Sequence, residues 1–216
     1  AHLDLDSEKI TPLGTDPERT IPANRFNDGK CDPAGRLWAG TMEFRGAKGQ
    51  GALYCFDTDH SVSKKISSVS VSNGIVWTAD YRTMYFIDSG LNNVRAYDYD
   101  IDSGDIGNER VVAQNEDAGV FDGMAIDAEG MLWIAVYGGS CVKRYNPQDG
   151  ALLRELQLPM DNVTSCAFGG ANLDELYVTS ACQGFDEEAK KAQPLAGSLV
   201  RLDPGVQGVP SHVFAG

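Results

Sequence analysis

The fold of this chain is decided by the stretch Phe121-Asp-Gly-Met-Ala-Ile-Asp-Ala-Glu-Gly-Met-Leu-Trp-Ile-Ala135. It contains two short apolar runs, which lie on either side of a polar turn at residues 127–130. Aromatic and branched apolar residues favour strands, whereas Asp and Gly favour the turns that close them. The stretch therefore predicts two strands joined by a tight turn.

This unit recurs along the chain. The aromatic residue of the apolar run returns at intervals of 47, 48 and 44 residues, aligned on Trp38, Tyr85, Trp133 and Tyr177. A third strand-like element follows each run and ends on Asp57, Asp98, Asn146 or Asp203. Three strands and an expected fourth in a unit of roughly 47 residues match one blade of a β-propeller. A sandwich with accidental spacing is the alternative, and the common phase of the elements disfavours it.

The repeat length also sets the number of blades. At roughly 47 residues per blade, the 216 residues hold about 4.6 blades, and residues 3–13 resemble the last strand of an earlier blade. We expect residues 1–216 to form a single all-β propeller domain that is incomplete at its N-terminus. Because an open propeller exposes strand edges, a missing N-terminal segment or a second chain is expected to complete the ring.

Charge and cysteine usage limit the partners. The net charge of −13 disfavours nucleic acid and membrane surfaces as partners. The five cysteines are odd in number and contain no C-x-x-C pair, which indicates reduced thiols and a cytoplasmic protein. No G-x-S-x-G motif is present, and the few histidines support neither a Ser-His-Asp hydrolase nor a His-ligated zinc site.

One acidic segment resembles a calcium-binding loop. Asp98, Asp100, Asp102 and Glu109 have the spacing of EF-hand ligands, but Ser103 occupies the position that needs Gly. The segment also lies between strand-like runs, so we interpret it as a hairpin loop.

A polar position precedes each apolar run. Aligned on Asn27, Asn73, Asp122 and Ser165, these positions are spaced by 46, 49 and 43 residues. If they begin the innermost strands, their side chains converge on the propeller axis and offer hard oxygen ligands for Ca²⁺, Mg²⁺ or Mn²⁺. Arg25 shares the strand face of Asn27. The residues alone leave a second interpretation equally open, in which the Asn-Gly and Asp-Gly pairs are hairpin turns.

The same residues resemble a known family. Asn24-Arg-Phe-Asn-Asp-Gly-Lys-Cys-Asp-Pro-Ala-Gly-Arg-Leu-Trp-Ala-Gly-Thr-Met42 and the stretches around Asn73, Asp122 and Ser165 are similar to signatures of the regucalcin/gluconolactonase family. This family of metal-dependent lactonases includes insect luciferin-regenerating enzymes. The resemblance implies a six-bladed β-propeller, with the N-terminal first blade and most of the second blade absent from this chain.

The resemblance also implies a site. It assigns one divalent cation to Asn73 and Asp122, with Ca²⁺ favoured over Zn²⁺, Mn²⁺ or Mg²⁺, and gives Asp122 the role of catalytic base. Arg25 and Asn27 are implied substrate contacts, and a further acidic contact falls at Glu43, although Phe44 is equally well placed. The family's glutamate ligand in a Gly-Glu-x-Pro stretch has no counterpart here.

The function implied is hydrolysis of sugar lactones. A non-catalytic calcium-binding propeller and a hydrolase like the luciferin-regenerating enzymes are the alternatives.

Overall fold

The chain folds into four blades of a β-propeller. The computed structural model describes residues 1–12 and 14–216, which form seventeen strands and one helix. Blade I contains β3 (Asn24–Cys31), β4 (Leu37–Glu43), β5 (Gly51–Phe56) and β6 (Val62–Val69). Blade II contains β7 (Ser72–Trp77), β8 (Thr83–Asp88), β9 (Asn93–Tyr99) and β10 (Ile106–Gln114). Blade III contains β11 (Val120–Ile126), β12 (Leu132–Tyr137), β13 (Cys141–Tyr145) and β14 (Leu152–Gln157). Blade IV contains β15 (Val163–Gly169), β16 (Glu175–Ser180) and β17 (Leu199–Leu202).

Within each blade the strands pair antiparallel with their neighbours in the chain, so every blade is a meander. The first strand of each blade lies beside the first strand of the next, in the order β3, β7, β11, β15. The all-β propeller predicted from the repeat is therefore confirmed, with four blades in the described residues. The loop between β9 and β10 is a hairpin, as predicted, and not a helix-flanked calcium loop.

One local prediction was wrong. Residues 3–13 were expected to form one strand, but β1 (His2–Leu3) and β2 (Ile10–Thr11) form a small antiparallel hairpin, and Leu13 lies outside the described residues. A short helix, α1 (Glu187–Ala192), lies between β16 and β17. The Asp186 side chain caps this helix by accepting a hydrogen bond from the Ala189 N–H, which satisfies a free amide of the first turn.

The hydrophobic core lies between blades. Trp38 of blade I packs against Trp77 of blade II, with ring centroids 5.8 Å apart. Phe121 of blade III packs against the inner face of blade II, and Trp133 packs towards blade IV. Each blade thus buries its large apolar side chains only when the next blade is present, as expected for a repeat fold.

In blades I and III, the turn predicted at the start of the second strand is held by a buried carboxylate. Asp32 accepts hydrogen bonds from the Trp38 indole at 2.9 Å and from Arg36 Nε at 2.7 Å. Asp127 occupies the same position in blade III and accepts from the Trp133 indole at 2.9 Å. The repeated spacing of Asp and Trp in the sequence therefore reflects a repeated hydrogen bond. All five cysteines are free thiols, as predicted.

Residues 205–216 form a segment that we call the C-terminal strap, because it contacts all four blades. The Gly208 N–H donates to Leu173 O of blade IV at 2.8 Å, and Gln207 O accepts from the Ala128 N–H of blade III at 2.8 Å. His212 then packs on Tyr81 of blade II. At blade I the Ala215 N–H donates to Gly35 O at 3.0 Å. The strap lies across the C-terminal ends of the inner strands, where a cavity of about 100 Å³ is lined by its residues 209–212.

Candidate functional site

The four aligned polar positions come together at the opposite end of the channel. Asn27, Asn73, Asp122 and Ser165 lie near the N-terminal ends of β3, β7, β11 and β15 and line one cavity of about 540 Å³. Each inner strand has a β-bulge at this level. A bulge turns a side chain away from the regular alternation of a strand. The bulges therefore explain how successive blades present one polar residue each to the same space.

The glycines beside these residues are not hairpin turns. Asn73-Gly74 lies within β7 and Asp122-Gly123 lies within β11, so the alternative interpretation of these pairs as turns is wrong. A Cβ at Gly74 would lie 2.6 Å from Met124 Cβ, and one at Gly123 would lie 2.2 Å from Ser165 Oγ. Neighbouring inner strands approach so closely at the site that only glycine fits.

A chain of hydrogen bonds links the polar residues across three blades. Arg25 Nη1 donates to Asn27 Oδ1 at 2.7 Å, and Asn27 Nδ2 donates to Asn73 Oδ1 at 2.9 Å. Asn73 Nδ2 donates to Ser89 Oγ at 2.7 Å, and Ser89 Oγ donates to Phe121 O beside Asp122. These hydrogen bonds fix the orientation of both amides. The Asn27 amide oxygen faces Arg25, and the Asn73 amide oxygen faces Asn27. Arg25 lies on the same side as Asn27, as predicted from strand alternation.

The carboxylate of Asp122 is in an unfavourable environment for a negative charge. Burial and the nearby Asp28 carboxylate raise the pKa of Asp122 to about 7, although the Gly123 N–H acts in the opposite direction. Burial likewise raises the pKa of Asp28. Among residues 1–12 and 14–216, no Lys or Arg forms a salt bridge with either carboxylate.

These residues fit a divalent cation. Two desolvated carboxylates without a salt bridge, next to amide oxygens, offer the hard oxygen donors that Ca²⁺ and Mg²⁺ prefer. Within the described part of the chain, no group of three or more His, Cys, Asp or Glu residues could hold a metal ion. A cation at this site would therefore depend on Asn73 and Asn27 as well as on Asp122 and Asp28.

Lys30 lines the cavity beside the C-terminal strap and not the candidate site. Its Nζ donates to Met124 O at 2.9 Å and so joins blade I to blade III. Burial lowers the pKa of Lys30, whereas the charge of Asp28 acts in the opposite direction. Sequence reasoning assigned no role to Asp28 and Lys30, although both lie in the quoted signature stretch. It also missed Ser89, which follows β8 and carries no repeat signal.

Glu43 and Phe44 differ in their position relative to the cavity. The Glu43 carboxylate accepts hydrogen bonds from the Arg45 N–H at 2.8 Å and the Ala47 N–H at 3.0 Å, and Glu43 does not line the cavity. Phe44 does line it. The assignment of a substrate contact to Glu43 stays a prediction, and the local geometry gives the position facing the cavity to Phe44.

Comparison with known proteins agrees with the resemblance found in the sequence. Residues 1–182 match the family described as SMP-30/Gluconolactonase/LRE-like region. The chain belongs to this family. Regucalcin of Xenopus laevis is 45% identical over 221 residues, which cover 99% of this chain and 74% of that protein.

Two solved structures of the family superimpose well. A luciferin-regenerating enzyme gives a TM-score of 0.86 with 38% identity and covers 93% of this chain and 68% of its own. A calcium-binding protein, regucalcin from Agrobacterium tumefaciens str. C58, gives a TM-score of 0.86 with 32% identity over 91% of this chain and 67% of its own. Family membership supports a lactonase-type or calcium-binding propeller. In the described residues, no helix is long and apolar enough to span a membrane.

Proposed function

We propose that this protein is a metal-dependent lactonase of the gluconolactonase type. The observation that supports the proposal is the convergence of Arg25, Asn27, Asn73 and Asp122 in one cavity, with a half-buried carboxylate that lacks a salt bridge in the described residues. A site built only for protein stability gains nothing from such a carboxylate, because desolvation without a partner destabilises the fold. The arrangement is that of a functional site.

Each residue has a role in this proposal. Asn73 and Asp122 hold a divalent cation, which when bound polarises the lactone carbonyl. Asp122 accepts the proton of the attacking water as a general base. Arg25 and Asn27 orient the substrate through hydrogen bonds from their nitrogen atoms.

The proposed ring has six blades, two of which lie outside these four. Blade IV has three strands in the described residues where the other blades have four, and a further strand from outside these residues would complete it, which supports this proposal. The segment or chain that completes the ring is also the proposed source of a further ligand for the cation.

The enzyme proposal is tested by lactone hydrolysis with and without a chelator. Proton release from δ-gluconolactone and from simple lactones is followed with a pH indicator in Ca²⁺, Zn²⁺, Mn²⁺ and Mg²⁺. We expect turnover that chelation abolishes and that Asp122→Ala removes. Glu116→Ala is the matched control, because Glu116 is an exposed acidic residue outside the cavity. Turnover that survives in Asp122→Ala contradicts the proposal.

A non-catalytic calcium-binding propeller is the second candidate. The description of the similar Agrobacterium protein as calcium-binding favours it. Tight Ca²⁺ binding that depends on Asp122, without hydrolysis of any lactone tested, distinguishes this function from the enzyme.

A further inference from the structure

The lining of the candidate site is mixed in chemistry. Besides the polar residues described above, it includes the apolar residues Met42, Phe44, Val71, Val120 and Tyr137. The sequence resemblance implies a substrate rich in hydroxyl groups. Apolar residues in the lining do not suit such a substrate, since they offer few hydrogen bonds.

Phe44 is the most exposed of these apolar residues. Its residue surface is 63% exposed, and Val120 beside the same cavity is 37% exposed. No aromatic ring in the described residues packs on Phe44. A phenylalanine left this exposed forgoes most of the free energy that burial of its ring would provide. An apolar group bound in the cavity would recover part of it.

The backbone fixes this ring at the site. The Phe44 N–H donates to Ala23 O at 2.8 Å, and the turn that follows is held by the Glu43 carboxylate. These contacts turn the Glu43 carboxylate into the loop and leave Phe44 facing the cavity. The place at which the resemblance implied a carboxylate that binds hydroxyl groups is therefore occupied by a benzene ring.

We infer that the site takes lactones that carry an aromatic or alkyl group, in preference to bare polyol lactones, and that Phe44 determines this specificity. The inference deepens the proposed function and rests on it for the reaction. The polar residues bind the ester group, and Phe44 packs against the apolar substituent. In the reaction the water oxygen bonds to the carbonyl carbon, the acyl–oxygen bond breaks, and the ring oxygen leaves as a hydroxyl with a proton from water.

The test compares an aromatic lactone with a polyol lactone. The probes are dihydrocoumarin and δ-gluconolactone, and kcat/KM is measured for the wild type and for Phe44→Ala, Phe44→Leu and Phe44→Glu. We expect the wild type to prefer dihydrocoumarin. Phe44→Ala should lower kcat/KM for dihydrocoumarin about ten-fold and leave δ-gluconolactone unchanged, the size expected for one apolar contact. Phe44→Leu should stay near the wild type, and Phe44→Glu should reverse the preference.

Binding of the product acids provides a readout that does not need turnover. Calorimetry with 3-(2-hydroxyphenyl)propanoate and with gluconate should show tighter binding of the aromatic acid, weakened about ten-fold by Phe44→Ala. Val111→Glu is the control, because Val111 is 58% exposed on β10, away from the cavity. Binding of the aromatic acid that depends on Phe44, without hydrolysis of either lactone, refutes the enzyme and retains the specificity. A preference for the polyol, an equal effect of Phe44→Ala on both probes, or no binding of either acid overturns the inference.

Discussion

Replacement of Asp32 by asparagine tests the hydrogen-bonded cluster of Asp32, Arg36, Trp38 and Tyr99, which joins blades I and II. The Asp32 carboxylate is fully buried, and its Oδ2 accepts hydrogen bonds from Arg36 Nε, the Trp38 indole and the Tyr99 hydroxyl at 2.7–2.9 Å. Asparagine keeps the shape of the side chain but places an NH₂ group towards three donors. It also leaves the Arg36 guanidinium without its carboxylate in an environment where only 4% of the side-chain surface is exposed.

The size of the effect follows from these contacts. Loss of one partner of a buried ion pair costs about 3–5 kcal/mol. Arg36 still donates to Ile101 O and to the Tyr99 hydroxyl in the Asp32→Asn variant. The amide oxygen of the new side chain can also take the place of Oδ1, which accepts from the Ala34 and Arg36 N–H groups at 3.0 and 2.9 Å. We therefore expect the lower end of the range, about 3 kcal/mol, which lowers the Tm of a chain of this size by roughly 6–12 °C.

The assay is urea unfolding followed by tryptophan fluorescence, with Asp127→Asn as the matched control. Asp127 makes the corresponding contacts in blade III, but its partner Arg144 also forms a salt bridge with Glu129 at 2.6 Å and is 13% exposed. The control should therefore lose about half as much stability. A loss of stability below about 1 kcal/mol for Asp32→Asn, or an equal loss for the two variants, would falsify the view that Asp32 stabilises the fold as the partner of the buried Arg36.

The same cluster predicts that the stability of the fold depends on pH. Burial alone would raise the pKa of Asp32, but hydrogen bonds from Trp38, Arg36 and Tyr99 outweigh it and lower this pKa below its ordinary value of 3.8. The carboxylate therefore stabilises the fold above the pKa that it has in the unfolded chain, about 4, and this contribution is lost as the pH falls from that value through the lower pKa of the folded state. The difference in stability between the wild type and Asp32→Asn should shrink between about pH 5 and pH 2, which urea titrations at each pH measure.

Three further predictions concern the site and the ring. Asp122→Ala should abolish divalent-cation binding in calorimetric titrations, since it removes the half-buried carboxylate of the site, and a normal titration would refute the assignment. Arg25→Ala should raise KM or lower kcat/KM with unchanged metal affinity, because Arg25 brings no ligand oxygen; loss of metal binding contradicts this role. The four blades with open edges should associate with a further segment, a second chain or another copy, and intact-mass analysis with size-exclusion chromatography detects such a partner. A soluble monomer with no bound segment would argue against the proposed ring.

The repeat in the sequence made the propeller fold predictable. The exact orientation of the site residues was not predictable, because it depends on how neighbouring strands pair. The spacing of Asn27, Asn73, Asp122 and Ser165 placed one residue per blade at the axis, and the structure brings all four to one cavity. The β-bulges that aim them depend on pairing between strands, which a single stretch of sequence does not specify.

The sequence also could not decide whether Glu43 or Phe44 faces the site, because this depends on local structure that a single stretch of sequence does not specify. Strand β4 ends at Glu43, so the alternation of side chains no longer decides which of the two residues faces the site. Two hydrogen bonds to the following loop decide it instead. Ser89 was missed because it lies outside the repeated elements, and only the contact between blades II and III gives it a role.

The C-terminal strap has a consequence for the order in which the molecule folds. Its hydrogen bond between Ala215 and Gly35 closes a loop of about 180 residues, one of the largest separations possible in this chain. Pairing inside each blade is local and can form as the chain is synthesised, but closure of so long a loop carries a high entropic cost and is slow. We expect the strap to dock last, after the blades have formed from the N-terminus onwards. In a ribosome-bound chain that lacks residues 205–216, the end of the channel that the strap covers would then be open. Trp77 and Phe168, which line the cavity there, would be exposed to chaperones and to other nascent chains.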